Sequence, residues 1–341
     1  MTNLACVLHG RRDLRIEERP PATVREGDVV VDVAIGGICG SDLHYFHDGS
    51  VGDYVVREPL VLGHEMVGRV AESASSSSTV TPGLAVAIYP ATPCGQCREC
   101  LSGRPNICAE VRYLGSAART PHVQGGFCQQ VTVPASQIRL LPPSLTLERA
   151  VLAEPLAVAL HAVKRAGSVA GKRVLVTGAG PIGLLVIAAL RASGAADVIA
   201  VDLVEAALAV AGRVGADRTY VASDTLEIPE VDIAIEASGS DKALATCVRA
   251  VRRGGVVVQL GLLPPGLVAL LGNTIVTREL DLRGSFRFDE EFDDALEMLN
   301  EGLAVDGIVT HSFPLTQAAE AFAIAGDRKI SSKVLISFDA T

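Results

Sequence analysis

A regular alternation of short apolar segments with helical segments begins after Pro143 and restricts the fold of this chain more than any other feature. The apolar segments are short, rich in Val and Ile, and end in small or acidic residues, as buried parallel strands do. Apolar residues recur at helical spacing between them. The strands predicted in this way are RVLVTG, DVIAVD, RTYVA, VDIAIEASG, GGVVVQLG and LDLRGSF. The pattern predicts an α/β fold with a doubly wound parallel sheet.

The first 150 residues have a different pattern. Val-rich or alternating runs, interrupted by Gly, Pro and Ser, predict a β-rich domain there. The stretch from Leu145 to Gly167 predicts a helix that Thr146 caps, and the tail predicts two helices and a strand at Ser332–Phe338. We expect the tail to rejoin the first domain. The predicted divisions are residues 1–150, 151–285 and a returning C-terminal segment, 286–341.

Charge and hydropathy exclude two classes of protein. The net charge is -9 and there is no run of Lys and Arg, which argues against nucleic-acid binding. Gly254–Thr277 is uncharged, but Pro264 and Pro265 interrupt it, so it does not suit a membrane span. The N-terminal residues lack the apolar core of a signal peptide. We therefore expect a cytoplasmic protein, in which clustered cysteines bind metal rather than form disulfides.

Half of the eight cysteines form a C-x2-C-x2-C-x7-C cluster, namely Cys94, Cys97, Cys100 and Cys108. Four thiolates at this spacing can surround one tetrahedral ion, which makes a closed zinc site that stabilises a loop. An iron–sulfur cluster is the alternative. The bacterial cluster motif has a different final spacing and a following Pro, whereas Ala109 follows here. The sequence favours structural zinc.

A glycine motif, G-A-G-P-I-G, directly follows the strand RVLVT and opens an apolar helix. Such a turn allows a dinucleotide pyrophosphate to approach the helix N-terminus. Asp202 ends the next strand, where a carboxylate can accept the ribose hydroxyls of NAD and repel the 2′-phosphate of NADP. The predicted cofactor is therefore NAD, and its motif residues are Gly178, Gly180, Pro181, Ile182 and Gly183.

Together these motifs carry a resemblance. In order along the chain they are GGICGSDLHYF (36–46), GHEMVG (63–68), the four-cysteine loop, AEPLAVALHA (153–162) and GAGPIG (178–183). They resemble the zinc-containing medium-chain dehydrogenase/reductase superfamily, in which a Rossmann domain is inserted in a GroES-like catalytic domain. Glu65 and Glu154 resemble its polyol dehydrogenase branch. The stretches ICGSDLHYFHDGSVGDY, YLGSAARTPHVQGGF and LRGSFRF are most similar to bacterial L-idonate 5-dehydrogenases.

The resemblance implies a second, catalytic zinc site formed by Cys39 and His64, with Glu65 and Glu154 as direct ligands or as residues that hold the zinc water. Simple alcohol dehydrogenases carry Cys at the position of Glu154, so Glu indicates a site like that of sorbitol dehydrogenase. The resemblance further assigns a proton relay to Ser41 and His44, although Ser41 also suits a helix N-cap. It assigns substrate contacts to Tyr45, Glu154 and Arg287, and cofactor contacts to Gly261, Phe286 and Arg287.

The implied reaction is zinc-dependent hydride transfer between NAD and a secondary hydroxyl of a sugar acid or polyol. L-Idonate, which would give 5-keto-D-gluconate, is the first candidate, and sorbitol or xylitol is the alternative. A sugar acid needs a cation for its carboxylate, and the candidates are Arg287, Arg119, His122 and Arg57. A zinc-free quinone reductase and a non-catalytic NAD-binding protein both fit the motifs less well. Family members form homodimers or homotetramers, and the apolar Leu267–Val276 suits such an interface.

Overall fold

The computed structural model describes residues 3–20, 23–74 and 79–338. The strands in these ranges are β1 (Asn3–Gly10), β2 (Asp13–Arg19), β3 (Asp28–Gly37), β4 (Ser50–Val51), β5 (Tyr54–Val55), β6 (Leu60–Val61), β7 (Glu65–Ser73), β8 (Ala85–Ile88), β9 (Ala91–Thr92), β10 (Arg112–Tyr113), β11 (Gln130–Pro134), β12 (Ile138–Leu140), β13 (Arg173–Thr177), β14 (Asp197–Asp202), β15 (Arg218–Val221), β16 (Val231–Glu236), β17 (Val251–Gln259), β18 (Asp281–Gly284), β19 (Val309–Pro314) and β20 (Lys333–Ser337). The helices are α1 (Gly40–Asp48), α2 (Arg98–Leu101), α3 (Leu147–Ala150), α4 (Ala153–Ala166), α5 (Pro181–Ala192), α6 (Glu205–Val214), α7 (Asp241–Ala250), α8 (Gly272–Arg278), α9 (Glu291–Asn300) and α10 (Ala318–Gly326).

The C-terminal half contains a six-stranded parallel sheet in the order β15-β14-β13-β16-β17-β18. Its central strands are continuous apolar runs, such as Val-Leu-Val in β13, and are buried because helices cover both faces. The strand order reverses between β13 and β16, so both strands end at the switch point where ligands bind in such sheets. The structure confirms the predicted doubly wound α/β fold.

The N-terminal part contains a mainly antiparallel sheet in the order β12-β8-β7-β3-β20-β19, with β11 also paired to β3. Its last two strands come from the C-terminal tail. β20 pairs antiparallel with β3, with Leu335 opposite Gly37, and the Ile38 amide donates to the Val334 carbonyl at 2.9 Å. The tail therefore lies beside the end of β3, directly before Cys39.

The helix predicted between Leu145 and Gly167 is divided in the structure into α3 and α4. Pro155 explains the division, because it has no N–H with which to bond the Val151 carbonyl and so suits only the first turn of a new helix. Thr146 stands at the N-cap of α3, but its side chain makes no capping hydrogen bond. The new helix begins at Ala153, which places Glu154 in its first turn.

An apolar core extends across the junction of the two sheets. It joins Val67 and Ala87 of the N-terminal sheet, through buried residues of α4, to α5 and the parallel sheet. On its other side α4 packs against α9, where Phe292, Leu296 and Leu299 are buried. In the described part of the chain, no helix has both the length and the apolar character needed to cross a membrane.

Candidate active site

The four clustered cysteines lie in a small lobe formed by α2 and a 3-10 turn, Pro105–Ile107. Their sulfur atoms all lie within 4.8 Å of one another. The Cys97 amide donates to the Cys94 sulfur at 3.3 Å, and the Cys94 amide donates to the Cys108 sulfur at 3.4 Å. Backbone amides of Gln96 and Cys97 lower the pKa of Cys94 to about 7. Four sulfur atoms at these distances, two of which accept backbone amides, suit a closed, four-sulfur zinc site.

A second group of possible metal ligands lies where β3 ends and β7 begins. The ligand atoms of Cys39, His64 and Glu65 also lie within 4.8 Å of one another. Burial alone would lower the pKa of His64, but nearby Asp42 and Cys39 raise it well above its ordinary value. The surroundings of His64 therefore favour a positive charge. A thiolate, an imidazole and a carboxylate around such a position form a donor set that suits a catalytic zinc ion.

Asp42 contacts both Cys39 and His64, and sequence reasoning missed it. It is fully buried and accepts hydrogen bonds from the Cys39 amide at 2.9 Å and the Gly63 amide at 3.3 Å. Its other contact is with His64, whose Nδ1 lies 3.8 Å from Oδ1. The sequence signal was available, because Asp42 is the N3 residue of a helix whose N-cap is Cys39. The N-cap role considered for Ser41 is therefore wrong.

Lys333, the first residue of β20, is the second missed residue. Its Nζ lies 2.7 Å from both carboxylate oxygens of Glu65 and 3.0 Å from the Ile38 carbonyl oxygen. Burial and the charge of Glu154 raise the pKa of Glu65 even beside this lysine. Burial alone would lower the pKa of Lys333, but Glu65 and Cys39 raise this pKa and keep the lysine charged. Both Glu65 oxygens are thus occupied by an ion pair.

Glu154 approaches the same region from α4. It is buried, and its Oε1 accepts a hydrogen bond from the Tyr113 hydroxyl at 2.6 Å. Burial and this carboxylate raise the pKa of Tyr113 well above its ordinary value, so the phenol keeps its proton. The Tyr113 ring meets the His64 ring edge-on at 5.7 Å. The structure therefore brings Glu154 next to the metal-ligand group and leaves its second oxygen without a protein partner among the described residues.

The Arg287 guanidinium lies 4.6 Å above the Tyr113 ring and 4.6 Å above the Phe286 ring. A cavity of about 200 Å³ opens beside it, between the four-cysteine lobe and Arg119. Phe286, one of the predicted cofactor contacts, is 40% exposed and lines this cavity. The cation is thus placed one aromatic ring away from Glu154.

The structure distinguishes the four cations considered for a substrate carboxylate. Arg119 lines the cavity but pairs with Glu110 at 2.9 Å. His122 is buried and accepts the Arg57 amide at 2.9 Å, so its ring supports the backbone. Arg57 does not line the cavity. Arg287 lines it and has no carboxylate within ion-pair distance in the described residues.

The remaining predicted residues lie on α1. Ser41 is half-buried in the first turn, and the exposed His44 pairs with Asp48 at 3.2 Å. Tyr45 is buried in the apolar core, where its hydroxyl accepts the Ala117 amide at 3.1 Å. Burial raises the pKa of Tyr45. The structure does not bring Tyr45 to the cavity beside Arg287, so the predicted substrate contact of this residue is not seen.

The glycine motif forms the turn from β13 into α5. Gly178 has a φ of 91°, and a Cβ on Gly183 would lie 1.8 Å from the Gly178 carbonyl oxygen. Gly180 is the N-cap of α5 and Pro181 its first residue, while Ile182 is partly buried. A Cβ on Gly180 would meet open space, as expected if a pyrophosphate approaches there. The residues fit a bound dinucleotide.

Asp202 ends β14 beside this turn. Its two oxygens accept hydrogen bonds from the Ala179 amide at 2.6 Å and the Val204 amide at 2.9 Å, which fix the carboxylate at the mouth of the turn. Gly261 lies on the opposite side, where a Cβ would come within 2.2 Å of the Gly239 nitrogen. The structure thus brings Asp202 to the glycine turn and packs Gly261 against the neighbouring loop.

Glu236, at the end of β16, was missed by sequence reasoning. It is fully buried, and one oxygen accepts hydrogen bonds from the Ser238 amide at 2.7 Å and the Gly239 amide at 3.1 Å. The Gln259 side chain donates to the other oxygen at 2.6 Å. Glu236 therefore shapes the loop that packs against Gly178 and Gly261. No pattern in the sequence separates it from an ordinary acidic residue at a strand end.

Comparisons with known proteins agree with this geometry. A model for the alcohol dehydrogenase GroES-like domain matches residues 25–143, and one for zinc-binding dehydrogenases matches residues 181–301. L-Idonate 5-dehydrogenase (NAD(P)(+)) of Escherichia coli (strain K12) is 36% identical over 98% of both chains. Sorbitol dehydrogenase of Bacillus subtilis (strain 168) is 35% identical over 93% of this chain and 92% of its own. The crystal structure of L-idonate 5-dehydrogenase from Escherichia coli matches with a TM-score of 0.95 and 35% identity, covering 99% of both chains.

The fold and the matched domains define a zinc-binding oxidoreductase linked to a nicotinamide dinucleotide. The chain belongs to the zinc-containing medium-chain dehydrogenase/reductase superfamily, within which it is an alcohol or polyol dehydrogenase. The resemblance carried by its motifs is thereby confirmed.

Proposed function

We propose that the chain is an NAD-linked dehydrogenase of sugar acids that interconverts L-idonate and 5-keto-D-gluconate. The observation that carries this proposal is the position of Arg287. Arg287 lines a cavity, and its guanidinium has no carboxylate partner in the described residues and lies over the ring of Tyr113, which bonds Glu154. A planar guanidinium suits a substrate carboxylate because it can donate two parallel hydrogen bonds.

In this proposal each chain holds two zinc ions. Cys94, Cys97, Cys100 and Cys108 hold the structural one. Cys39, His64 and Glu154 hold the catalytic one, while Lys333 retains Glu65 in an ion pair. The bound catalytic zinc supplies Lewis acidity to the substrate oxygen, and NAD accepts the hydride.

The protein residues around this centre have separate tasks. Asp42 orients His64 and the Cys39 backbone. Tyr113 donates to one Glu154 oxygen and so orients the carboxylate. Ser41 passes the substrate proton towards the exposed His44, and the proton leaves from there to solvent. Both residues lie on α1.

The cofactor is NAD rather than NADP in this proposal. Asp202 is fixed at the end of β14 by two amides, and a 2′-phosphate would place a second negative charge beside it. The next residues, Leu203, Val204 and Glu205, supply no cation. We expect kcat/KM to be at least about tenfold higher with NAD than with NADP, which steady-state kinetics with both cofactors measures.

The test of the substrate is a panel of L-idonate, D-gluconate, sorbitol, xylitol and simple alcohols with NAD. We expect L-idonate to give the highest kcat/KM. In Arg287→Met the KM for L-idonate should rise roughly ten- to hundredfold, because a charge-assisted hydrogen bond is lost, while the KM for sorbitol changes little. Arg119→Met is the matched control, since Arg119 is already paired with Glu110. Equal effects of Arg287→Met on both substrates would contradict the carboxylate site.

The ligand assignment has its own test. Glu154→Ala should abolish turnover and leave NADH binding unchanged, and metal analysis of the freshly purified protein should give two zinc ions per chain. Turnover retained in this variant, or a single zinc ion, would contradict the assignment.

A neutral polyol such as sorbitol or xylitol is the second candidate, favoured by the similarity to sorbitol dehydrogenase of Bacillus subtilis. Arg287 can also bind a hydroxyl or a water. The same substrate panel separates the two candidates, because a polyol dehydrogenase would prefer sorbitol or xylitol over L-idonate.

A further inference from the structure

The backbone around Arg287 is held from both sides. Before it, the Ser285 amide donates to the Gln259 carbonyl of β17 at 2.9 Å. After it, the Asp289 amide donates to Glu291 Oε2 at 2.7 Å. These bonds fix the ends of a short segment, residues 285–289, that we call the arginine loop.

Arg287 has a φ of 53° within this loop. The left-handed region is unfavourable for a residue with a Cβ, so the loop keeps this shape only while other contacts hold it. Because Arg287 also lines a cavity, this backbone conformation indicates that the direction of its side chain is important for binding.

The bond nearest to Arg287 comes from the four-cysteine lobe. Asn106 lies between Cys100 and Cys108, in the 3-10 turn of the lobe, and is buried. Its Nδ2 donates to the Phe286 carbonyl oxygen at 3.0 Å, directly before Arg287. Asn106 is neither one of the four cysteines nor part of α2.

The second N–H of the Asn106 amide points at His161 of α4, whose Nε2 lies 3.4 Å away. The other ring nitrogen of His161 lies 2.9 Å from Glu291 Oε1. Nδ1 therefore donates to the carboxylate, and Nε2 accepts from Asn106. This chain of bonds fixes the orientation of the Asn106 amide and joins the lobe to the first residue of α9.

We propose that Asn106 is a positioning residue, which couples the four-cysteine lobe to the arginine loop and so sets the affinity of Arg287 for the substrate. The lobe would then have a second task besides its own stability. It would hold Phe286 and, through the backbone, the strained Arg287 against the cavity. The identity of the bound group as a carboxylate rests on the proposed function, but the coupling itself does not.

The coupling is tested without substrate by hydrogen–deuterium exchange in Asn106→Ala and in Asn106→Asp, which keeps the size of the side chain and loses both N–H donors. We expect amides of residues 285–289 to exchange about tenfold faster, with unchanged exchange in β13 and α5. Asn273→Ala, an exposed position on α8, is the matched control and should exchange like the unaltered protein. Zinc content and thermal unfolding establish that the lobe is intact.

Kinetics gives the second readout. In both Asn106 variants the KM of the best substrate should rise about tenfold, which corresponds to about 1.4 kcal/mol, while kcat and NADH affinity stay within about threefold. A purely structural role would lower kcat and zinc content together instead. If the arginine loop exchanges at the original rate and KM is unchanged, the coupling does not exist. If L-idonate is not turned over by the unaltered protein, the proposed function fails, and the exchange result still decides the coupling.

Discussion

Glu65 and Lys333 form a fully buried ion pair whose members are 268 residues apart in the sequence. The pair decides how much negative charge the proposed catalytic site carries. With Lys333 present, the charge of Glu65 is compensated, and the carboxylate of Glu154 remains available for the proposed zinc ion. The proposed site thus depends on a lysine as well as on its two glutamates.

Removing the lysine should therefore be costly. In Lys333→Met the free energy of unfolding should fall by about 3–5 kcal/mol, because a buried carboxylate is left without its partner. Chemical denaturation followed by circular dichroism measures this change.

The controls for this prediction are Lys333→Arg, which keeps the charge, and the double variant Glu65→Gln/Lys333→Met, which removes both charges. Both should be more stable than Lys333→Met alone. A single variant as stable as the unaltered protein would show that the ion pair contributes nothing.

At the same scale, the sequence predicted the candidate ligands because Cys39, His64 and the four cysteines lie in short motifs with recognisable spacing. Lys333 could not be predicted. A lone lysine at the start of an apolar strand is ordinarily exposed at a surface, and only the pairing of β20 with β3 buries it.

Among the elements, the turn from β13 into α5 depends on a close contact between two backbones. Gly183→Ala should weaken NADH binding by more than about tenfold, since its Cβ would collide with the Gly178 carbonyl oxygen. Fluorescence titration with NADH measures the affinity.

Gly212→Ala in α6 is the matched control, because a Cβ there meets no atom within 4 Å. It should leave NADH affinity unchanged and stabilise the helix by roughly 0.5–1 kcal/mol. Equal NADH affinity in the two variants would contradict the role of Gly183.

The contribution of the contact between α4 and α9 to the stability of the fold depends on pH, and the sign of this dependence follows from Glu291. Burial alone would raise the pKa of Glu291, but His161 and the Asp289 amide lower it from 4.5 to about 2. A lowered pKa stabilises the folded state above the ordinary value and loses this effect as the pH falls from about 4.5 towards 2.

Glu291→Gln should therefore lower the Tm at pH 7, and the difference from the unaltered protein should shrink as the pH falls through this range. Thermal unfolding at several pH values measures it. Glu290→Gln, at the exposed neighbouring position, is the control. A difference that grows towards low pH would have the wrong sign.

The sequence predicted these elements unequally. The strands of the parallel sheet were predicted well, since short continuous runs of Val and Ile between turns are typical of buried strands. The helix over Leu145–Gly167 was not, because its apolar spacing continues through a position where Pro155 interrupts the backbone bonds. Periodicity alone does not register a missing N–H.

For the whole molecule, the assembly stays a prediction. α8 and the loop before it expose several large apolar side chains, namely Leu262, Leu267, Leu270 and Val276. We propose that this surface forms the interface of a homodimer or homotetramer. Light scattering should give an oligomer, and Leu267→Glu/Val276→Glu should lower the measured mass. A monomeric unaltered protein would exclude the interface.

The sequence predicted which part of the chain forms each sheet. The strand–helix alternation after Pro143 predicts the parallel sheet, and the β-rich first 150 residues predict the mainly antiparallel one. The pairing of the tail with β3 was an expectation that periodicity could not specify. Register between strands so distant in sequence depends on side-chain packing that only the folded chain brings together.

The distance between Glu65 and Lys333 also affects synthesis. On the ribosome, the four cysteines of the lobe emerge within fifteen residues and can capture a metal ion while most of the chain is still untranslated. Cys39, His64 and Glu65 emerge earlier still, but the lysine that neutralises Glu65 follows 268 residues later. The proposed structural zinc site can therefore be loaded during translation, whereas the proposed catalytic site reaches its final charge only after β20 has been made.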